Sequence, residues 1–277
     1  MTVVKQCLAG YTPHMLVDGK KIAGEVLEEV RAVVEARPAA APRLTAITCA
    51  PTFETRKYLE MKKAKAASVG ITLNVLELPA EVTTAEAVAT VARLVAESDG
   101  VVVQLPFPPQ VDREAVLAAV PTEKDPDGFS YESVPNACLP PVVGAIDEIS
   151  KRHSVEWQGK RVVVLGAGRL VGRPAAVYAA ARGANVTIFT EETYDQAGLR
   201  LADIIISGIG QPHFITPDLV KEEVIIFDAG TSEDGGVLSG DVHPDVAARA
   251  ALLTPVPGGI GPITIAYLLR NLVAISQ

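Results

Sequence analysis

Tyr58 and Lys62 stand four residues apart in YLEMKKAKAASVG, inside a stretch whose composition predicts a helix over 55–69. At that spacing a phenol and an amine share one helix face and can interact directly, and an amine kept out of water has a lowered pKa and can exchange protons near neutrality. Taken alone, the pair reads more simply as a solvated lysine and a tyrosine at the core edge. In VVVQLPFPP, residues 101–109, three valines of a buried strand run into Gln104 and then into prolines that cannot continue a ladder, which puts an amide at the strand's carboxyl end. Asp127, in EKDPDGF, is an acceptor suited to neighbouring N–H donors, or the Asp of an Asp-Gly turn; the local sequence leaves both open.

A second constellation occupies residues 159–192, GKRVVVLGAGRLVGRPAAVYAAARGANVTIFTEE. Its glycines fall at Gly166, Gly168 and Gly172, a GxGxxxG one residue longer than the commonest dinucleotide fingerprint. The run follows VVVL and opens an Ala-rich helix, so the glycines permit a tight turn and the helix amides face a pyrophosphate. The alternative is a turn with a structural role only. The residues expected to hold a dinucleotide cofactor are Gly166, Ala167, Gly168, Arg169, Leu170, Val171 and Gly172. To these are added Thr190 and Glu191 after the next strand, Gly210 and Gly230 in later turns, and Thr264 in the last helix.

The elements that must position these residues alternate. LTAITC (44–49), a helix over 55–69, ITLNVLEL (71–78), a helix over about 84–97 and the valines before Gln104 form βαβ units on a parallel sheet. In such sheets ligands bind beyond the carboxyl ends of the strands, where Gln104 stands. ADIIISGIG from 202 and EVIIFDAG from 223 continue the glycine-turn region as a Rossmann-like half, and VVGAIDEI is a helix that joins the halves. The expected fold is therefore two-domain α/β, with domains at 1–143 and 144–261 and the terminal helix 262–277 packing back on the first.

Composition narrows the function class. A formal charge of −8 and a pI near 5.1 argue against a nucleic-acid partner, and Lys57, Lys62, Lys63 and Lys65 recur at helical spacing as a largely solvated face. Cys7, Cys49 and Cys138 have no paired short spacing, and His14, His153, His213 and His243 are scattered, so neither a disulfide framework nor a metal site is expected. No apolar run approaches bilayer length and no leader is evident, so a cytoplasmic protein is expected.

YLEMKKAKAASVGI, VVVQLPFP, EKDPDGF, the Gly166–Pro174 turn and TPVPGGIGPITIAYLL occur in the order and at the spacing of the methylenetetrahydrofolate dehydrogenase/cyclohydrolases, the bifunctional FolD family, which the chain resembles from VDGKKIA at 17–23 to its last helix. The resemblance implies a folate-binding domain, a Rossmann NAD(P) domain and an active-site cleft between them. It implies oxidation of 5,10-methylenetetrahydrofolate by hydride transfer and hydrolysis of the methenyl product to 10-formyltetrahydrofolate. It assigns catalysis to Lys62, Tyr58, Gln104 and Asp127, with Gln104 holding the Lys62 amine, Tyr58 stacking on the folate and Asp127 gripping the amino-pyrimidine edge. Thr55, Pro257, Gly258 and Gly259 join Tyr58 and Asp127 as substrate-binding residues, and the chain is expected to be a homodimer.

Three departures from the family pattern stand out. The segment that usually reads PCTPxG is here ACLPPVVG, 137–144, and the loop before Tyr58 reads CAPTFET with Thr55 at a serine position. Where NADP users carry GRS and a later His-Ser pair, this chain has GAG at 166–168 and Thr190-Glu191-Glu192. A carboxylate near the ribose accepts from a 2′-hydroxyl and repels a phosphate, so NAD is expected to be favoured over NADP, with Arg169 and Arg173 as the residues able to oppose that. A dehydrogenase without cyclohydrolase activity, a folate or nucleotide sensor without turnover, and another Rossmann oxidoreductase remain the alternatives.

Overall fold

The computed structural model describes residues 15–37, 40–234 and 237–277. Cys7, His14 and the start of the expected first domain lie outside them. Two parallel sheets organise the chain. The first is built from β2 (Arg43–Cys49), α2 (Phe53–Ser68), β3 (Thr72–Leu78), α3 (Thr84–Glu97) and β4 (Gly100–Val103), following β1 (Met15–Leu16) and α1 (Gly19–Glu35). Its order is β3-β2-β4, with Leu44 opposite Gly100 and Ile47 opposite Val103. Six of the seven β2 side chains are buried, because a central strand is covered on both faces. Each helix starts where a side chain satisfies its free amides: Asp18 for α1, Thr52 for α2 and Thr83, in a reciprocal box with Glu86, for α3.

After α4 (Arg113–Ala118), a long irregular connection leads to α5 (Pro141–Arg152). The second sheet then forms from β5 (Arg161–Leu165), α6 (Gly172–Ala181), β6 (Asn185–Phe189), α7 (Gln196–Arg200), β7 (Ile204–Ser207) and β8 (Val224–Asp228). A short antiparallel hairpin, β9 (Ser232–Asp234) and β10 (Val237–Ser239), precedes β11 (Ala250–Leu253) and α8 (Ile260–Ile275). The six-stranded order is β1-β11-β8-β7-β5-β6. Val162 and Val164 of β5 pack into one buried cluster and Val163 and Leu165 into another, as alternation across a doubly covered sheet requires. Trp157 anchors one side, its ring stacked at 5.8 Å on Phe227 and edge-on at 5.4 Å to Tyr178.

Two features cut across the expected partition. β1 pairs with β11, so a two-residue stretch expected in the first domain extends the second sheet, and the expected boundary at 143/144 falls inside α5. The last helix starts at Ile260, two residues earlier than expected, and packs against α1 and α5. Gly144 permits the α5 contact, since a Cβ there would lie 2.2 Å from the Tyr267 ring. No helix among the described residues is long and apolar enough to cross a membrane.

Candidate active site

The inward stripe of α2 is Leu59, Lys62 and Ala66, spaced at three and four residues, so the fold carries an amine into the protein along with two apolar side chains. Lys62 is only 6% exposed. Its Nζ donates to Gln104 Oε1 at 3.0 Å and lies 4.7 Å from the centroid of the Tyr58 ring. Gln104 reaches it because the β4 ladder continues by one more bond, Gln104 N–H to Ile47 O at 2.9 Å, before the cis Leu105–Pro106 peptide turns the chain away. The Gln104 amide nitrogen donates to Leu105 O at 3.3 Å, which orients the oxygen toward the amine. Thr55 sits one turn before Tyr58, its N–H donating to the Thr52 hydroxyl at 3.3 Å.

The 125–129 turn supplies the carboxylates. Buried Asp125 accepts from Gly128 N–H (3.0 Å) and Phe129 N–H (2.7 Å). Gly128 has φ +66°, and a Cβ on it would fall 2.3 Å from Cys138 O, so glycine alone fits. Burial, then the charge of Asp127, pushes the Asp125 carboxyl up to about 7 against the pull of the turn amides. Asp127 lines the same cleft as Lys62; burial pushes its acid up and the Lys62 charge opposes the rise. Asn271 of α8 staples this turn to the altered 137–144 loop, donating to Pro126 O at 2.9 Å and Leu139 O at 2.8 Å. Pro140 and Pro141 of that loop then begin α5 and line the cleft.

The opposite wall comes from the glycine turn. Gly166 has φ +88° and donates to Phe189 O at 2.8 Å, while a Cβ on Gly172 would lie 1.9 Å from Gly166 O. α6 starts at Val171 with no side chain capping its first amides. Arg173 N–H is taken by Gly168 O at 3.1 Å and Pro174 has none, so it is the backbone of the turn itself, with open space at Gly168 where a Cβ would meet nothing within 4 Å, that forms a cradle fitting a dinucleotide pyrophosphate. Arg169 forms an ion pair with Glu114 of α4, with its guanidinium 5.6 Å from the Phe129 ring, and Arg173 Nε lies 3.8 Å from Glu132. Both arginines are thus turned toward the first half of the chain. At the end of β6, Thr190 N–H donates to Thr193 Oγ1 at 2.9 Å and the Thr190 hydroxyl to Glu192 at 2.6 Å, while Glu191 is exposed. The Thr190 hydroxyl holds the Glu192 carboxyl below the usual range.

One cleft therefore joins Tyr58, Lys62, Gln104 and Asp127 to Arg169, Leu170 and Thr264. Its lining does not include Thr55, Gly166, Ala167, Gly168, Val171, Gly172, Thr190, Glu191, Gly210, Gly230, Pro257, Gly258 or Gly259. Gly258 O instead accepts from Gly19 N–H at 2.9 Å, and the space of a Gly230 Cβ is filled by the Asp241 carboxyl, 2.1 Å away. Sequence reasoning missed Tyr131 and Glu132, which line the cleft just after EKDPDGF and carry no signal beyond that proximity. It also missed Asp125, whose DPDG setting is a legible side-chain-to-backbone turn.

Residues 17–127 match the family model described as tetrahydrofolate dehydrogenase/cyclohydrolase, catalytic domain, and residues 140–277 match its NAD(P)-binding domain. The bifunctional protein FolD of Moorella thermoacetica is 37% identical, with 96% of this chain and 99% of that protein covered. The crystal structure of the bifunctional FolD methylenetetrahydrofolate dehydrogenase/cyclohydrolase from Campylobacter jejuni superposes with a TM-score of 0.89 at 30% identity, covering 95% of this chain and 98% of that one. The Trypanosoma brucei N5,N10-methylenetetrahydrofolate dehydrogenase-cyclohydrolase, complexed with NADP and an inhibitor, gives 0.87 at 33% identity, covering 95% and 97%.

Proposed function

The chain belongs to the tetrahydrofolate dehydrogenase/cyclohydrolase family, and on that premise we propose that it oxidises 5,10-methylenetetrahydrofolate to the 5,10-methenyl form with NAD(P) and hydrolyses the methenyl form to 10-formyltetrahydrofolate. The observation that carries this reading is the single cleft in which a buried lysine held by an amide, a tyrosine ring and a carboxylate face residues of the glycine turn. The folate lies over Tyr58, and Asp127 accepts from the N–H donors of its pterin edge. Lys62 takes the proton from the water that attacks the methenyl carbon, and Gln104 keeps the amine aimed at that water. Thr55, Pro257, Gly258 and Gly259 shape the folate side from behind the cleft wall. The backbone of the glycine turn, Gly166, Ala167, Gly168, Leu170, Val171 and Gly172, holds the pyrophosphate, and Gly210, Gly230 and Thr264 stand on the nicotinamide side. When bound, the nicotinamide supplies the hydride acceptor. In this reading residues 1–143 with the terminal segment 262–277 form the folate-binding part and 144–261 the cofactor-binding part.

NAD is favoured over NADP. Glu191 and Glu192 stand at the end of β6, where the ribose 2′ position falls in this fold, and Arg169 and Arg173 are engaged by Glu114 and Glu132 rather than free for a phosphate. The protein works in the cytoplasm, which suits free Cys49 and Cys138, with no nucleic-acid or membrane partner. It is a homodimer: β6 pairs only with β5 among the described residues, and this edge, beside exposed Val177 of α6, suits a second copy. Supplying the methenyl substrate without any nicotinamide tests the hydrolytic half alone. Accelerated loss of methenyl absorbance is expected; a rate equal to the buffer control would leave a dehydrogenase without cyclohydrolase activity.

A further inference from the structure

Two carboxylates lie buried at the carboxyl ends of β7 and β8, and the chemistry of the cleft uses neither. Asp241 is 0% exposed and Asp228 2%. Ser207 and Asp228 are register partners where the two strands end, and the segment 240–242 passes beside them. Asp241 Oδ2 accepts from the Ser207 hydroxyl at 2.6 Å and Ile209 N–H at 2.9 Å, and Oδ1 accepts from Gln211 N–H at 2.8 Å. Asp228 fixes Asp241 in turn, accepting from the N–H groups of Asp241 (3.2 Å) and Val242 (3.0 Å) as well as Gly230 (2.9 Å). Glycines make room for both: a Cβ on Gly230 would meet the Asp241 carboxyl at 2.1 Å, and one on Gly240 would meet Asp228 Oδ2 at 2.2 Å.

The segment that Asp241 ties down backs the glycine turn. A Cβ on Gly208 would lie 2.8 Å from Val171, and one on Gly166 would lie 3.0 Å from Ile209, so residues 208–209 pack directly on the turn that begins α6. A shift of this segment is therefore passed to the turn through Val171 and Ile209. A buried charge pair of one sign is costly unless backbone donors compensate it, and here they come from Ile209, Gln211, Gly230 and Val242 on three loops, besides Ser207 and Asp241 itself. Burial and the neighbouring Asp241 charge push Asp228 up to about 6 despite those donors.

Resting on the dehydrogenase reading above, we propose that Asp241, held in place by Asp228, is a positioning residue for the nicotinamide cofactor: it sets the 208–211 segment against the glycine turn and touches neither folate nor the reacting atoms. The test uses the full-length chain and NAD itself as the probe. Calorimetric titration of wild type, Asp241→Asn and Ser207→Ala gives Kd without turnover, and steady-state assays give KM for NAD and, separately, hydrolysis of the methenyl substrate. Asn keeps one acceptor and turns a donor toward the N–H groups that the other oxygen serves, so Kd and KM for NAD should rise about 10- to 100-fold, while hydrolysis stays within about twofold. Ser207→Ala removes one partner without stranding a charge and should raise Kd about threefold. If Asp241→Asn does not fold, Ser207→Ala decides. Unchanged Kd for NAD in a folded variant, or hydrolysis falling in parallel with NAD affinity, would overturn the proposal. A wild type that binds NAD but turns over no folate would sink the proposed activity, and the Kd comparison would still judge Asp241.

Discussion

Replacing Gln104 by Leu isolates the contribution of one acceptor to the hydrolytic step. Gln104 Oε1 lies 3.0 Å from Lys62 Nζ, and the amine is almost wholly out of water, so the variant leaves it facing an apolar group with the Tyr58 ring at 4.7 Å as its other close neighbour. A buried donor left without its acceptor costs about 1–3 kcal/mol, and losing it from the attacking geometry corresponds to about a 5- to 150-fold fall in the hydrolysis rate. Leucine is close to glutamine in volume, and Gln104 N–H to Ile47 O holds the strand end through the backbone, so the cleft keeps its shape. Hydride transfer requires no proton from Lys62 and should fall by less than about threefold, a split that stopped-flow absorbance resolves by following methenyl decay and reduced nicotinamide separately. Lys62→Met should lose more of the hydrolytic rate than Gln104→Leu, because it removes the base itself. Hydrolysis within twofold of wild type in Gln104→Leu, or equal losses in both activities, would refute the reasoning; equal losses would mean that Gln104 acts through folate binding.

Further outcomes follow from the other parts of the site. Glu191→Ser removes a charge near the expected 2′ position and should move the NADP-to-NAD ratio of kcat/KM about tenfold toward NADP; no movement would place the ribose elsewhere. Gly172→Ala puts a methyl 1.9 Å from Gly166 O and should abolish measurable NAD binding by calorimetry while leaving methenyl hydrolysis in place; NAD binding at the wild-type Kd would contradict the cradle. Asp125 sits at about 7 in the folded chain against an ordinary 3.8, so the native state favours the neutral acid. Its contribution to stability, on the order of 2–4 kcal/mol, is full below 3.8 and is lost as pH rises through about 7. Chemical denaturation of wild type and Asp125→Asn at pH 5 and pH 8 should therefore show the wild-type advantage shrinking at the higher pH, and a pH-independent difference would count against the burial of that charge.

What the sequence revealed, and what it withheld, follows how far each relation reaches along the chain. Tyr58 and Lys62 were legible as a pair because four residues is one helical turn, and the parallel strands were legible because both faces are covered and their side chains read as continuous apolar runs. The GxGxxxG turn declared itself by standing between a strand and a helix. Gln104 was legible as a strand end, but its meeting with Lys62, 42 residues away, depends on β4 lying beside β2, and only the family resemblance supplied it. β1 escaped because two residues have no period, and its partner β11 lies at the other end of the chain. Asp228 was legible as the end of a Rossmann strand but not in its role, because Asp241, which reads as an ordinary loop aspartate, meets it only through the loops that follow β8. The pairing of Arg169 with Glu114, 55 residues apart, turns on the same kind of information and bears directly on cofactor choice.

Whether one cleft performs both oxidation and hydrolysis is read out by a spectrophotometric time course on 5,10-methylenetetrahydrofolate with NAD and NADP in parallel, following reduced nicotinamide, methenyl intermediate and 10-formyl product. The account predicts reduced nicotinamide with both cofactors and faster with NAD, with methenyl passing through to 10-formyltetrahydrofolate faster than in buffer. No reduced nicotinamide with either cofactor would contradict it and leave a folate- or nucleotide-binding protein without turnover.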